Sequence, residues 1–397
     1  VGDVVRVKQM ADKSWQLIQL PNVEAALISL NPQNGGIYAL VGGFDFLKSK
    51  FNRVTSAMRQ PGSNFKPFLY SAALAKGLTL ATLVNDAPIV MDDQGATTMW
   101  RPQNDNDTFN GPTRLRVGLM QSRNLVSIRL LRKIGIPYAV QYAKRFGLVD
   151  SALPQSLSLS LGSGVMTPIE LARGLAVFAN GGFLINPYLI TRITEDNAKT
   201  LYQATPAKAC FLCNAQGVND GATMGVPEAN APQVISPQVA YLINSAMKSV
   251  ITSGTGRAAL VLKRGDLAGK TGTTNVKNDA WFSGFNTKML TVTWLGFDQP
   301  RSTFEYGAQA ALPIWIDYMR PALKGMPESN LLPPPGIVTV RINADTGQAT
   351  GPTDTNAIFE IFRTQFAPSL SGTDNSSVAS SAGAVAEPVQ NANQPLF

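Results

Sequence analysis

The stretch "RQPGSNFKPFLY", residues 59–70, sets a hydroxyl, Ser63, and an amine, Lys66, one helical turn apart behind Pro61-Gly62. A serine becomes a nucleophile only beside a base. Histidine is the usual base, and this chain contains none. A proton leaving Ser63 must therefore go to a lysine. On a helix, positions i and i+3 share a face, with Cβ atoms about 5–6 Å apart. Pro61 and Gly62 break the preceding chain, and Pro67 is tolerated only near a helix start. Both predict Ser63 at a helix N-terminus, where free amides and the positive dipole end favour negative charge.

Two more stretches carry groups of the right chemistry. In "KTGTT", Lys270 to Thr274, the threonines favour a strand. Gly272 removes a side chain where another backbone can approach. A peptide can add as a further strand on such an edge, with Lys270 and the hydroxyls of Thr271 and Thr273 gripping a carboxylate. In "QSRNLVSIRL", Ser122 and Asn124 stand at a break between two helical patterns. Taken alone, that break reads as an N-cap, and "KTGTT" alone reads equally well as a strand with a glycine bulge. Two decoys exist: Ser245–Lys248 lies mid-helix with no break before it, and Ser29-Leu30-Asn31 lies at a strand-turn junction.

Order separates signal from decoy. Ser-x-x-Lys, Ser-x-Asn and Lys-Thr-Gly, in that sequence, form the signature of penicillin-binding proteins and serine β-lactamases. Only Ser63/Lys66, Ser122/Asn124 and Lys270/Thr271/Gly272 satisfy it. Flanking blocks extend the likeness: "RQPGSNFKPFLYSAAL", "WRPQNDN…GPTRLRVGLMQSRN", "LGSGVMTPIELARGLAVFANGG", "SGTGRAA" and "DAWFSGF". From about residue 23 to 366 the chain resembles the transpeptidase domain of class A, bifunctional penicillin-binding proteins of the 1A type.

That resemblance implies D,D-transpeptidation of peptidoglycan stem peptides through a serine acyl-enzyme, with acylation by β-lactam antibiotics. It implies Ser63 as nucleophile, Lys66 as base, Ser122 as proton relay, Asn124 as a holder of Lys66 and of the donor peptide's amide, and Lys270 as a second cation. The backbone N–H groups of Ser63 and Thr273 are expected to form the oxyanion hole. Lys270, Thr271, Gly272 and Thr273 are expected to receive the substrate carboxylate. It implies no cofactor, no metal and no nucleic-acid partner. The expected location is the periplasmic face of the bacterial inner membrane, with contact to the membrane only through an N-terminal anchor absent from this chain. The rival readings are a D,D-carboxypeptidase or β-lactamase on the same fold, a penicillin sensor or wall-binding scaffold, and an unrelated Ser–Lys peptidase. No separate carboxylate base for deacylation can be picked from the sequence, which disfavours a β-lactamase.

These groups need a frame. Residues 1–22 read as two short strands, resembling the end of a small β (OB-like) insert. "VEAALISL" and "GIYALVGG" read as strands joined by a turn. Helical periodicity dominates for about 190 residues after Ser63, including a Thr-Pro-x-Glu start at Thr167 and a helix from Pro237 to Thr252. Strands return in "DLAGKTGTT", "AWFSGF" and "MLTVTWLGF". A helix "LPIWIDYMRPAL" follows, then an expected hairpin within "GIVTVRINADTGQAT". Early and late strands flanking a helical middle predict an α+β domain: one antiparallel sheet with helices on its faces and a helical lobe beside it. The 367–397 tail, poor in large apolar residues, is expected to be disordered.

Composition is ordinary for a globular protein, at 44% apolar and 15% charged. The net charge of +8 is dispersed along the chain, as on a solvated basic surface; the alternative is an anionic partner such as cell wall or lipid headgroups, with nucleic acid ranked last because nothing here resembles a nucleic-acid module. No stretch reaches the ~18 apolar residues of a membrane span. The two cysteines, Cys210 and Cys213, form a C-x-x-C without further Cys or His to complete a zinc site. A local disulfide or thiol pair in a surface loop is expected.

Overall fold

The computed structural model describes residues 2, 4–90, 99–196, 198–210 and 230–370. Strands β1 (Arg6–Gln9) and β2 (Trp15–Ile18) pair as a hairpin whose residues are all exposed. Strands β3 (Glu24–Leu30) and β4 (Ile37–Val41) follow, then a short helix α1 (Arg53–Ser56) and helix α2 (Lys66–Ala75). Strands β5 (Leu83–Asp86) and β6 (Gly111–Arg114) form a small antiparallel pair. Helices α3 (Leu115–Met120), α4 (Asn124–Ile134), α5 (Ile136–Lys144) and α6 (Pro168–Ala179) come next. Strands β7 (Arg192–Thr194) and β8 (Thr200–Gln203) precede helix α7 (Pro237–Thr252). The chain then runs through β9 (Ala268–Thr273), β10 (Asp279–Phe285), β11 (Leu290–Gly296), helix α8 (Gly307–Ala322), β12 (Ile337–Asn343) and β13 (Ala357–Arg363).

The early and late strands join in one five-stranded antiparallel sheet, in the order β4-β3-β11-β10-β9. Strand alternation divides its side chains between two cores. Trp281 and Phe285 of β10 and Leu290, Val292 and Trp294 of β11 join Ala26 and Ile28 of β3 in the core shared with α2 and α6. Phe282 points the other way, against Trp315 of α8 with ring centroids 5.0 Å apart. Helix α2 is the central helix. Its residues 66–74 are all buried, and it packs against α4, α5 and α7. Apolar surface all round suits a helix with neighbours on every side. Among the described residues, no helix is long and apolar enough to cross a membrane.

Several local expectations need adjustment. The helical middle contains the β5–β6 and β7–β8 pairs, too short for a period-2 pattern to register. Helix α8 begins at Gly307, earlier than "LPIWIDYMRPAL", and carries Pro313 and Pro321 inside it. Its first turn is closed by Gln309 Oε1, which accepts from Tyr306 N at 3.0 Å. The expected hairpin within 336–350 is instead β12 paired with β13, its second arm beginning at Ala357. Residues 344–350 turn back only far enough for an Ile342–Ala349 bridge. Cys210 is disulfide-bonded. Cys213, the rest of the 211–229 loop and residues 371–397 of the tail lie outside the described residues.

Candidate active site

Ser63 lies in the turn that precedes α2 rather than in the α-helix itself. Gly62–Phe65 form a 3-10 turn, and α2 proper begins at Lys66 with Pro67 in its first turn. In a 3-10 turn, i and i+3 eclipse, so Ser63 and Lys66 still stand over one another. The turn is clamped to β9 by close backbone approach. Gly62 has φ +53°, and a Cβ on it would lie 2.4 Å from Thr273 O. A Cβ on Gly272 would lie 2.5 Å from Pro61 O. The backbone that Gly272 admits is therefore the chain's own turn at Pro61–Ser63.

Alternation along β9 sorts the third motif. Lys270 sits opposite Ser283 and Gly272 opposite Trp281, so both face the helices. Thr271 and Thr273 face the α8 side. Thr274 N donates to Asp279 O, so Thr273's own N–H and C=O point away from β10 toward the open edge. Thr271 Oγ1 lies 2.7 Å from Thr255 Oγ1. Thr273 Oγ1 accepts from Gly307 N at 3.0 Å, which leaves its own O–H to donate elsewhere.

Ser122 bridges the two lysines. It occupies the left-handed region, φ +60°, a conformation that costs a non-glycine residue about 1–2 kcal/mol. That geometry turns both of its oxygens toward Lys66. Lys66 Nζ donates to Ser122 O at 2.6 Å, to Ser122 Oγ at 3.3 Å and to Asn124 Oδ1 at 2.7 Å. Lys270 Nζ donates to Ser122 Oγ at 2.8 Å and to Thr271 O at 3.0 Å. No hydrogen bond joins Ser63 Oγ to Lys66 Nζ among the described residues; the amine is turned toward the second motif. Both lysines are fully buried. Burial pushes the Lys66 amine down to about 7, against the opposing pull of Asp105 and Asp86. Burial, then Lys66 itself, holds Lys270 well below the usual lysine range.

The decoys fall elsewhere. Ser245 on α7 accepts from the Arg116 guanidinium, and Lys248 donates to Asn330. Ser29 is buried in the sheet, accepting from Thr291 Oγ1 at 2.9 Å.

Ser63, Ser122, Thr271 and Thr273 line one cleft of about 630 Å³, with Asn104, Asp105, Thr255 and Tyr306 among its other walls. Sequence reasoning missed the residues that build the wall opposite β9. Helix α4 has no side-chain cap of its own at Arg123. Asn104 Oδ1 supplies one from twenty residues upstream, accepting from Asn124 N at 2.8 Å and Leu125 N at 3.3 Å. The buried carboxylate of Asp86 holds Asn104 Nδ2 at 2.8 Å, Asn110 N at 3.1 Å and the Arg123 guanidinium at 3.2 Å. Arg123 also donates to Asn106 Oδ1 and Asn110 Oδ1. The block "WRPQNDN" was the available signal, but nothing local in it tells which amide caps which helix.

Comparison with known proteins places this geometry in context. Residues 25–304 match the penicillin binding protein transpeptidase domain. Penicillin-binding protein 1A of Pseudomonas aeruginosa is 45% identical over 92% of this chain, and that of Escherichia coli is 43% identical over 87%. The chain spans 48% of the length of each of these relatives. The crystal structure of penicillin-binding protein 1A from Haemophilus influenzae superposes with a TM-score of 0.86 at 41% identity, covering 92% of this chain and 57% of that one.

Proposed function

The chain belongs to the penicillin-binding protein transpeptidase family, and on that premise we propose that it is a serine D,D-transpeptidase crosslinking peptidoglycan stem peptides. Residues 23–366 form the transpeptidase domain, and residues 1–22 the end of a small β insert. The setting is the periplasmic face of the bacterial inner membrane. The observation that carries the reading is Ser122 Oγ, shared by Lys66 and Lys270 at the floor of the cleft that Ser63 and Thr273 line.

Ser63 Oγ attacks the carbonyl of the penultimate D-alanine as Lys66, in its neutral form, takes the proton. Burial lowers the affinity of Lys66 for that proton. The oxyanion receives N–H donors from Ser63, in the first turn where backbone donors lack intrahelical partners, and from Thr273 on the sheet edge. Ser122 Oγ accepts from Lys270 at 2.8 Å, so its O–H protonates the leaving D-alanine nitrogen, and Lys66, 3.3 Å from Ser122 Oγ, returns to it the proton taken from Ser63. The terminal carboxylate is received by the hydroxyls of Thr271 and Thr273 with Lys270 behind them. A carboxylate there raises the proton affinity of Lys270, so substrate binding restores the cation that burial suppresses. An amine from a neighbouring stem peptide then resolves the acyl-enzyme.

A β-lactam presents a strained carbonyl and a carboxylate to the same groups, and its leaving nitrogen stays tethered. Incubation with a fluorescent penicillin is expected to label Ser63 with a long-lived adduct by intact-mass spectrometry, and Ser63→Ala to abolish it. Labelling that survives in Ser63→Ala refutes the nucleophile. Rapid loss of the adduct from the intact chain favours a hydrolase.

A further inference from the structure

The Asn124 amide has two donors, and both are taken. Nδ2 donates to Gln103 O at 2.9 Å and to Asp105 Oδ1 at 3.1 Å, while Oδ1 accepts from Lys66. A donor peptide that hydrogen-bonds Asn124 Nδ2 through an amide carbonyl must displace one of those acceptors. Gln103 contributes a backbone carbonyl beside the capped start of α4, and it cannot leave without moving the wall. Asp105 is exposed and contributes a side chain, which can rotate away at little cost. Its backbone is separately restrained: Tyr306 Oη, from the residue preceding α8 across the cleft, donates to Asp105 O at 3.4 Å.

We propose that Asp105 is a specificity-determining residue whose carboxylate occupies Asn124 Nδ2 in the free enzyme and yields it to the acylamino carbonyl of the incoming donor. This inference rests on the transpeptidase reading of the cleft. The carboxylate stands in for the substrate amide. It keeps Asn124 oriented with Oδ1 on Lys66 when no substrate is bound, and it taxes every ligand that needs Nδ2. A ligand without an acylamino group leaves the Asp105 contact intact and is not taxed.

The test compares acylation efficiencies of benzylpenicillin and of penicillanic acid, which has the same nucleus and carboxylate but no acylamino side chain. The readout is their ratio, which cancels any general effect on Lys66 or on folding. Removing an acceptor from a charge-assisted contact at an exposed site is expected to raise the benzylpenicillin-to-penicillanic-acid ratio about tenfold in Asp105→Ala. Asp105→Asn retains an oxygen acceptor at the same place and is expected to keep the ratio near that of the wild type. An unchanged or lowered ratio in Asp105→Ala overturns the proposal. So does an equal rise in Asp105→Asn, which would assign the effect to charge. Failure of the wild-type chain to form a Ser63 adduct with either compound refutes the transpeptidase reading instead.

Discussion

Two amines within reach of one serine oxygen set the chemistry at the scale of the residue. Lys66 and Lys270 cannot both carry charge cheaply in a buried site, and the site is arranged so that neither needs to. The charged groups around Lys66 are Asp105 and Asp86, which favour its ammonium form, and Lys270. Asp86 is itself engaged by Arg123. A base must be neutral to accept a proton, and Lys66 becomes neutral as pH rises through about 7. The acylation rate is therefore expected to climb with pH to a plateau, with its midpoint near the Lys66 value, and to fall roughly tenfold per pH unit well below it. Stopped-flow acylation between pH 5 and 9 measures this. In Asp105→Asn the midpoint moves to lower pH, because a charge that favoured the ammonium is gone. A pH-independent rate over that range would remove Lys66 from the role of base.

At the scale of the element, the cleft depends on where two helices begin. Helix α2 starts against β9 because Gly62 and Gly272 let two backbones touch. Helix α4 starts with its first free amides held by Asn104, which hangs from the end of β5 through Asp86. Asn124 is the first residue of α4, so the cap that stabilises the helix also aims the amide at Lys66. Asn104→Ala is expected to cost about 1–2 kcal/mol, as for loss of a good cap. It should also lower the acylation rate by more than that stability loss implies. Thermal melts and penicillin acylation on the same sample distinguish the two effects. A variant with normal acylation would show that the cap is structural only.

The whole molecule shares one sheet between two cores, and the site lies where the sheet edge meets the helical lobe. The β12–β13 hairpin is tied to that lobe by charge. Glu360, almost fully buried, accepts from Arg116 through both carboxylate oxygens at 2.6 and 2.7 Å and approaches Arg114 at 3.5 Å. Arg116 also reaches Ser245 and Ser249 on α7. Removing one partner of a buried ion cluster strands the others. Glu360→Ala is expected to destabilise the domain by about 3 kcal/mol in denaturant unfolding, while the folded fraction still acylates on Ser63. A loss below about 1 kcal/mol would mean the hairpin is held by its apolar contacts alone.

The sequence by itself was enough to single out Ser63, Lys66, Ser122, Asn124, Lys270, Thr271 and Thr273 as candidates, and to rank them above Ser245–Lys248 and Ser29. Motif order is a one-dimensional property, and the helix and strand periods around each motif are local. It was also enough to pair early with late strands, since both patterns need a partner to bury their apolar face. Only the tertiary structure decided that Lys66 turns to Ser122 and Asn124, that Gly272 makes room for Pro61, and that Asn104 and Asp86 hold the facing wall. Those choices depend on groups meeting across separations of 18 to more than 200 residues, and no local pattern encodes which amide or carboxylate will arrive. The same holds for the β13 arm: its partner strand was legible, but the register across a 13-residue connection is settled by the packing of Ile342 and Phe362 beneath it.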